Sequence, residues 1–204
     1  MAKNLSQLIK GYQRFKNKYS KGDPSLMEYL EQFGQNPDTM VVACSDSRVD
    51  PAILLQCDPG DLFVVRNIAN IVPPCENDER HHGTSAALEF GICHLNVKDL
   101  IILGHSNCAG VNVKVNDINL KPGIFIKSWV SQIEKCPDSS ENDLEPHCKK
   151  SLLASYENCL SFSWIKERLE NNLLNIHLWY LDINNATIYS YNHETKDFIE
   201  LNNY

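Results

Sequence analysis

Short apolar runs closed by polar residues recur along the chain at Met40-Val-Val-Ala43, Leu62-Phe-Val-Val-Arg66 and Leu100-Ile-Ile-Leu-Gly104. That pattern belongs to strands buried on both faces in a parallel sheet. Between the second and third runs, His82 to Leu95 carries Ala86, Ala87, Phe90 and Ile92 at helix-like spacing, opened by Gly83-Thr84-Ser85. Before the first run, Leu5, Leu8, Ile9, Tyr12 and Phe15 fall on one face of a helix, and a second helix is expected around Ser25 to Phe33. Residues 135–150, rich in proline, charge and Asn/Ser, read as an exposed excursion. A long helix over 149–171 should follow, then two strand-like runs, Leu174 to Asp182 and Thr187 to Tyr191, joined by a hairpin-like turn at Asn184-Asn185. Alternating strand and helix predict an α/β fold: a central, mostly parallel sheet flanked by helices, preceded by a helical arm. We expect one domain over 1–204, with the arm at 1–34 and the core at 35–204.

The chain's 204 residues suffice to bury a real core, and 43% are hydrophobic. The formal charge of −7 argues against nucleic acid or an anionic membrane as partner, since both are negative. No stretch approaches the roughly 20 apolar residues of a membrane span, and the first residues lack a secretory apolar block. A soluble, cytoplasmic protein is expected. The basic, amphipathic opening also suits an organelle-targeting segment, but its spacing favours the docking helix.

The eight cysteines lack the regular spacing of a small disulfide scaffold. Cys44 follows the first apolar run; His105 and Cys108 follow the third. Loops at the carboxyl ends of parallel strands are where α/β folds build their sites. If the two strands are neighbours, two thiolates and one imidazole converge with a fourth position free, a zinc arrangement suited to catalysis. His105-x-x-Cys108 alone is weak evidence, since Cys136, His147 and Cys148 offer a similar proximity and are read here as unremarkable loop residues. Cys44-Ser-Asp-Ser-Arg48 is more informative. It brings a thiol, a carboxylate and a guanidinium together in five residues. An ordinary Asp46–Arg48 loop ion pair is the alternative, while the three residues between Cys44 and Arg48 are too few for a phosphate-wrapping cysteine phosphatase loop.

CSDSRVDP, GDLFVVRNIAN, HGTSAALEFGICHL and IILGHSNCAG together resemble, in order and spacing, the sequence blocks of the β-class carbonic anhydrases. The resemblance is strong from Gln35 to Val111 and looser at Ile176-His-Leu-Trp-Tyr180. It implies one zinc per chain on Cys44, His105 and Cys108, with Asp46 and Arg48 as the family's dyad. It also implies a lyase, carbonate dehydratase, that hydrates carbon dioxide reversibly to bicarbonate and a proton through zinc-bound hydroxide. Arg48 would hold Asp46 off the metal. By the same resemblance Gln35, Phe63, Ile68, Phe90 and the Ala109 backbone are substrate-binding positions, and His94 is one candidate for proton relay, a surface histidine without a role being the other reading. Family members are dimers or multiples of dimers whose N-terminal helices embrace the neighbouring subunit, so a homo-oligomer is expected; Arg66 and Asn67 are either structural or interfacial.

Three departures from the family pattern stand out. Ala109 replaces the usual glycine, Phe90 replaces a tyrosine of plant-like members, and Val41 and Leu181 stand where the bicarbonate-regulated sub-family has tryptophan and tyrosine. These imply an open site with no regulatory anion pocket. Two other functions fit parts of the pattern: a same-fold hydrolase of carbon disulfide or carbonyl sulfide, and a non-catalytic zinc-binding protein, which has little use for Asp46 with Arg48.

Overall fold

The computed structural model describes residues 3–78, 80–137 and 139–201. It divides into two compact units, Met1–Asn36 and Pro37–Tyr204. The first holds α1 (Leu5–Tyr19) and α2 (Leu26–Phe33). Each begins with a capping box: Asn4 with Gln7, and Ser25 with Glu28, satisfy amide groups that a helix start leaves unpaired. The predicted apolar face of α1 is present and uncovered, with Leu5 73% and Tyr12 62% exposed.

The second unit is built on a six-stranded sheet of order β2-β1-β3-β4-β5-β6. Its strands are β1 (Thr39–Cys44), β2 (Leu62–Asn67), β3 (Asp99–His105), β4 (Asn175–Asp182), β5 (Thr187–Asn192) and β6 (Asp197–Glu200). The first four run parallel, and β5 and β6 add antiparallel at one edge. The three apolar runs are thus strands, and the turn at Asn184-Asn185 joins β4 to β5. Met40 to Ala43 and Leu100, Ile102 and Leu103 are wholly inaccessible, as the absence of polar residues in those runs demanded. From β1 the chain moves to β2 on one side, then returns past β1 to β3 on the other. The exit of β1 beside β3 is therefore a topological switch point, where such sheets open a crevice.

Helices α3 (Pro51–Leu54), α4 (Gly83–Glu89), α5 (Ala109–Val115), α6 (Ile124–Val130), α7 (Leu144–Cys159) and α8 (Ser163–Glu170) connect the strands, and a π-helical turn, Phe90–His94, continues α4. Two expectations need correction. The excursion at 135–150 is not exposed throughout: α7 begins inside it at Leu144, and His147 and Cys148 are 1% and 4% exposed. Pro146 concealed that start, because proline in the first turn of a helix removes only an amide that has no partner there. The single helix over 149–171 is two, separated at 160–162, where Phe162 turns inward and is 4% exposed.

Candidate metal centre

Strands β1 and β3 are hydrogen-bonded neighbours, paired from Thr39↔Asp99 to Ala43↔Leu103. That register places Cys44, the last residue of β1, beside the end of β3 at His105. The chain then turns through Ser106 and Asn107 into α5, which Cys108 precedes as its N-cap. Cys44, His105 and Cys108 each bring one ligand atom to within 4.8 Å of the others, and all three residues are buried.

The donor chemistry fits a zinc ion. His105 Nδ1 lies 2.8 Å from the carbonyl of Ser106, which can only accept, so Nδ1 carries the proton and Nε2 is left with a bare lone pair. Nε2 is buried and has no hydrogen-bond partner among the described residues. A buried nitrogen in that state is costly unless something fills its lone pair. The carbonyl that orients the ring is itself secured to β4, because Ser106 N–H donates to Leu181 O (2.9 Å) and Ile183 N–H to Ser106 Oγ (2.9 Å). This is the outer-partner arrangement that fixes a ligating histidine's tautomer.

The two thiols stand 3.9 Å apart, Sγ to Sγ. Hydrogen bonding from Cys108 pulls Cys44 down to about 4, helped by the backbone amides of Asp46 and Ala69. Cys108, the donor in that pair, is correspondingly pushed up. Elsewhere burial raises the thiols: Cys148 to about 11 and Cys159 to about 12. Cys44 is instead shifted toward the thiolate that a metal needs.

Asp46 lies beside this centre, with Oδ2 4.0 Å from His105 Nε2. Arg48 grips it with both arms of the guanidinium, Nε to Oδ1 at 2.9 Å and Nη2 to Oδ2 at 2.7 Å, and its backbone amide adds a bond to Oδ1 at 2.9 Å. This bidentate pairing holds the Asp46 carboxyl well below the usual range. A depressed carboxyl contributes its stability above the unfolded value of about 3.9 and loses it only as pH falls through the lower folded value. The dyad therefore outlasts ordinary carboxylates on acidification.

Arg66 and Asn67, left undecided by the sequence, brace the loop. The Arg66 guanidinium donates to the carbonyls of Cys44 (2.9 Å) and Asp46 (2.7 Å) and to Asp50 Oδ2 (2.6 Å). Asn67 accepts from Ile71 N–H and donates to Ile71 O, both at 2.8 Å, closing a turn in which Ala69 and Asn70 adopt positive φ of 64° and 47°. That turn packs on α5 at Gly110, where an added Cβ would stand 2.5 Å from Ile68 Cγ2 and 3.1 Å from Ala69 Cβ. Gly110→Ala should push the Cys108 loop and the turn apart and destabilise the fold by about 1–3 kcal/mol. A lowered urea midpoint with unchanged slope would show it; an unchanged midpoint would mean the contact yields freely.

The remaining candidates are dispersed. Phe63 on β2 and Phe90 stack at 5.8 Å between centroids, with the exposed His94 ring 5.7 Å from Phe90. Ile68 lies on an open cavity of about 720 Å³ with Asn67, Phe125, Trp129 and Gln132, which Phe63 and Phe90 do not line. Ala109 opens α5 without a positive φ, so its Cβ costs nothing there. Gln35 is exposed, in the segment after α2 in the first unit. Cys136, His147 and Cys148 make no metal-ligand group among the described residues; Cys136 N–H donates to His147 Nδ1 at 2.9 Å.

Comparison with known proteins agrees with this geometry. Residues 39–188 match the family described as carbonic anhydrase. The chain is 30% identical over 206 residues to a carbonic anhydrase of Synechocystis, covering 96% of this chain and 74% of that one. It is 36% identical over 180 residues to the chloroplastic beta carbonic anhydrase 5 of Arabidopsis thaliana, covering 79% of this chain and 59% of the relative's length. Among solved structures, the beta-carbonic anhydrase CcaA superposes with a TM-score of 0.83 at 29% identity, over 96% of this chain and 98% of that one. One of two tetrameric beta-carbonic anhydrases from the ascomycete Sordaria macrospora superposes at 0.69 with 25% identity, over 91% and 92%.

Proposed function

Because the chain belongs to the β-carbonic anhydrases, we propose that it hydrates carbon dioxide reversibly at an open zinc site formed by Cys44, His105 and Cys108. The observation that carries this reading is the unpartnered Nε2 of His105, converging with two thiols beside a carboxylate already clamped by arginine. A zinc ion held there lowers the pKa of a water in its fourth position to about 7, supplying hydroxide near neutral pH.

The chain's own residues do the rest. Asp46, kept ionised by Arg48, can only accept hydrogen bonds. Its Oδ2 would accept a hydrogen bond from the O–H of a nucleophile held at the centre and so orient it toward the carbon of the substrate. Arg48 occupies both carboxylate oxygens and so keeps Asp46 from closing the site as a ligand. The backbone amide of Ala109, in the first turn of α5, has no intrahelical partner and suits an oxygen of bicarbonate. Phe63, Ile68, Phe90 and Gln35 remain substrate-binding positions on the strength of the motif resemblance alone, which suits an uncharged linear substrate in the three apolar cases. His94 is exposed, as a relay that passes the proton to solvent must be.

A regulatory bicarbonate site has no support at the expected place. Val41 and Leu181 are apolar and buried, at 0% and 3% exposed, and offer no polar side-chain atom. Residues 1–34 serve as the arm of a single-domain subunit. The uncovered apolar face of α1 favours a homodimer or a multiple of dimers, as does the tetrameric assembly named for the Sordaria neighbour. No helix among the described residues is long and apolar enough to cross a membrane. The formal charge of −7 disfavours nucleic acid, and the working place is the cytoplasm.

The open site is tested by stopped-flow hydration near pH 7 and again above pH 8. Rapid turnover at both, with a ratio no larger than the titration of a group of pKa about 7 allows, is the expected result. Turnover absent at pH 7 and switched on steeply above pH 8 would mean that Asp46 closes the site at neutrality. Bound zinc that hydrolyses carbonyl sulfide or carbon disulfide and leaves carbon dioxide untouched would reassign the substrate.

A further inference from the structure

Asp46 and Arg48 sit two residues apart in one loop, so the bonds between their side chains fix the pair internally without fixing it against the centre. Arg66 reaches the loop through the backbone carbonyls of Cys44 and Asp46 and through Asp50, not through the side chains of the dyad. Arg48 is long and 47% exposed on its side chain. Among the described residues, one hydrogen bond joins the dyad side chains to the loop that carries His105 and Cys108. Arg48 Nη2 donates to the carbonyl of Asn107 at 3.2 Å.

Asn107 is the residue between the two ligands whose backbone is left-handed, with φ of 52°. That conformation costs most residues about 1–2 kcal/mol, while Gly and Asn adopt it readily. Right-handed or extended backbone at this position would turn the 107 carbonyl away from Arg48. The carboxylate has little room to be misplaced, since Oδ2 already lies 4.0 Å from His105 Nε2. From these contacts we infer that Asn107 is a positioning residue: its left-handed backbone anchors Arg48 and thereby keeps Asp46 out of the metal's fourth position. This rests on the zinc-site reading above and adds to it a role for the spacer between His105 and Cys108.

The test uses the full chain loaded with cobalt(II), whose visible absorption reports on coordination, and azide as the probe of the fourth position. It requires no hydration of carbon dioxide, so failure of the activity assay and failure of this inference are distinguishable. Asn107→Gly should bind azide as the parent does. Asn107→Val should keep one cobalt per chain yet bind azide at least about tenfold more weakly, a loss of about 1.4 kcal/mol, with Asn107→Ala between the two. If Asn107→Val does not fold, the Ala and Gly variants carry the comparison. Adding Asp46→Ala to the weakened variant should restore azide binding, because the competing carboxylate is gone. Equal azide affinity in all variants would overturn the inference. So would a loss in Asn107→Gly as large as in Asn107→Val, a loss that Asp46→Ala fails to relieve, or loss of cobalt itself from the folded Asn107→Ala variant.

Discussion

Cys108→Ser should leave a folded chain that no longer retains zinc and whose hydration of carbon dioxide falls to the buffer rate. Loss of an outer partner of a metal ligand alone costs about 10–100-fold in affinity, and removal of a ligand must exceed that. The sulfur at 108 cannot be replaced by a neighbour. Cys148, a buried cysteine on α7, stands outside the ligand group, and its thiol is pushed up to about 11. The substitution sits at the N-cap of α5, where serine is a favoured residue, so the helix itself should survive. Zinc per chain by elemental analysis and far-ultraviolet circular dichroism check the two halves of this expectation. Retention of a full equivalent of zinc would show that the metal lies elsewhere.

Asp46→Ala separates chemistry from metal binding. The carboxylate contacts Arg48 and approaches His105 without belonging to the ligand group. Zinc should therefore stay near one per chain. Turnover should fall by roughly 10²–10⁴-fold, the range expected when a group that positions a reacting proton is lost. Zinc content and stopped-flow rate on the same sample decide it. Complete loss of metal would mean that Asp46 holds the centre together, and an unchanged rate would remove it from the reaction.

The ligands were legible because burial is strict where β1 and β3 run. A strand packed on both faces tolerates no polar residue, so Cys44 and His105 marked the strand exits as soon as the apolar runs were recognised. Their spatial meeting needed the pairing of β1 with β3, which the runs alone do not specify. The four motif blocks named the family, and with it the dyad.

What stayed hidden was held by backbone groups. Arg66 was visible as a cation at a strand end, a charge in need of a partner, but its partners are mainly carbonyls, which carry no residue signature. Ser106 and Asn107 read as an ordinary polar spacer, although one orients His105 through its carbonyl and the other takes a left-handed turn toward Arg48. The start of α7 was masked by Glu145, Pro146 and the charges around them, a composition that fits a first helical turn as well as a loop. Strand β6 is four residues long at the sheet edge, with burial too slight to impose an apolar pattern.

Stopped-flow hydration near neutral pH, on samples whose zinc content is known, measures zinc-dependent turnover of carbon dioxide most directly. Rapid hydration that scales with zinc up to about one equivalent per chain and disappears when a chelator strips the metal is the expected result. One bound zinc with hydration no faster than buffer, near pH 7 and above pH 8 alike, would contradict it.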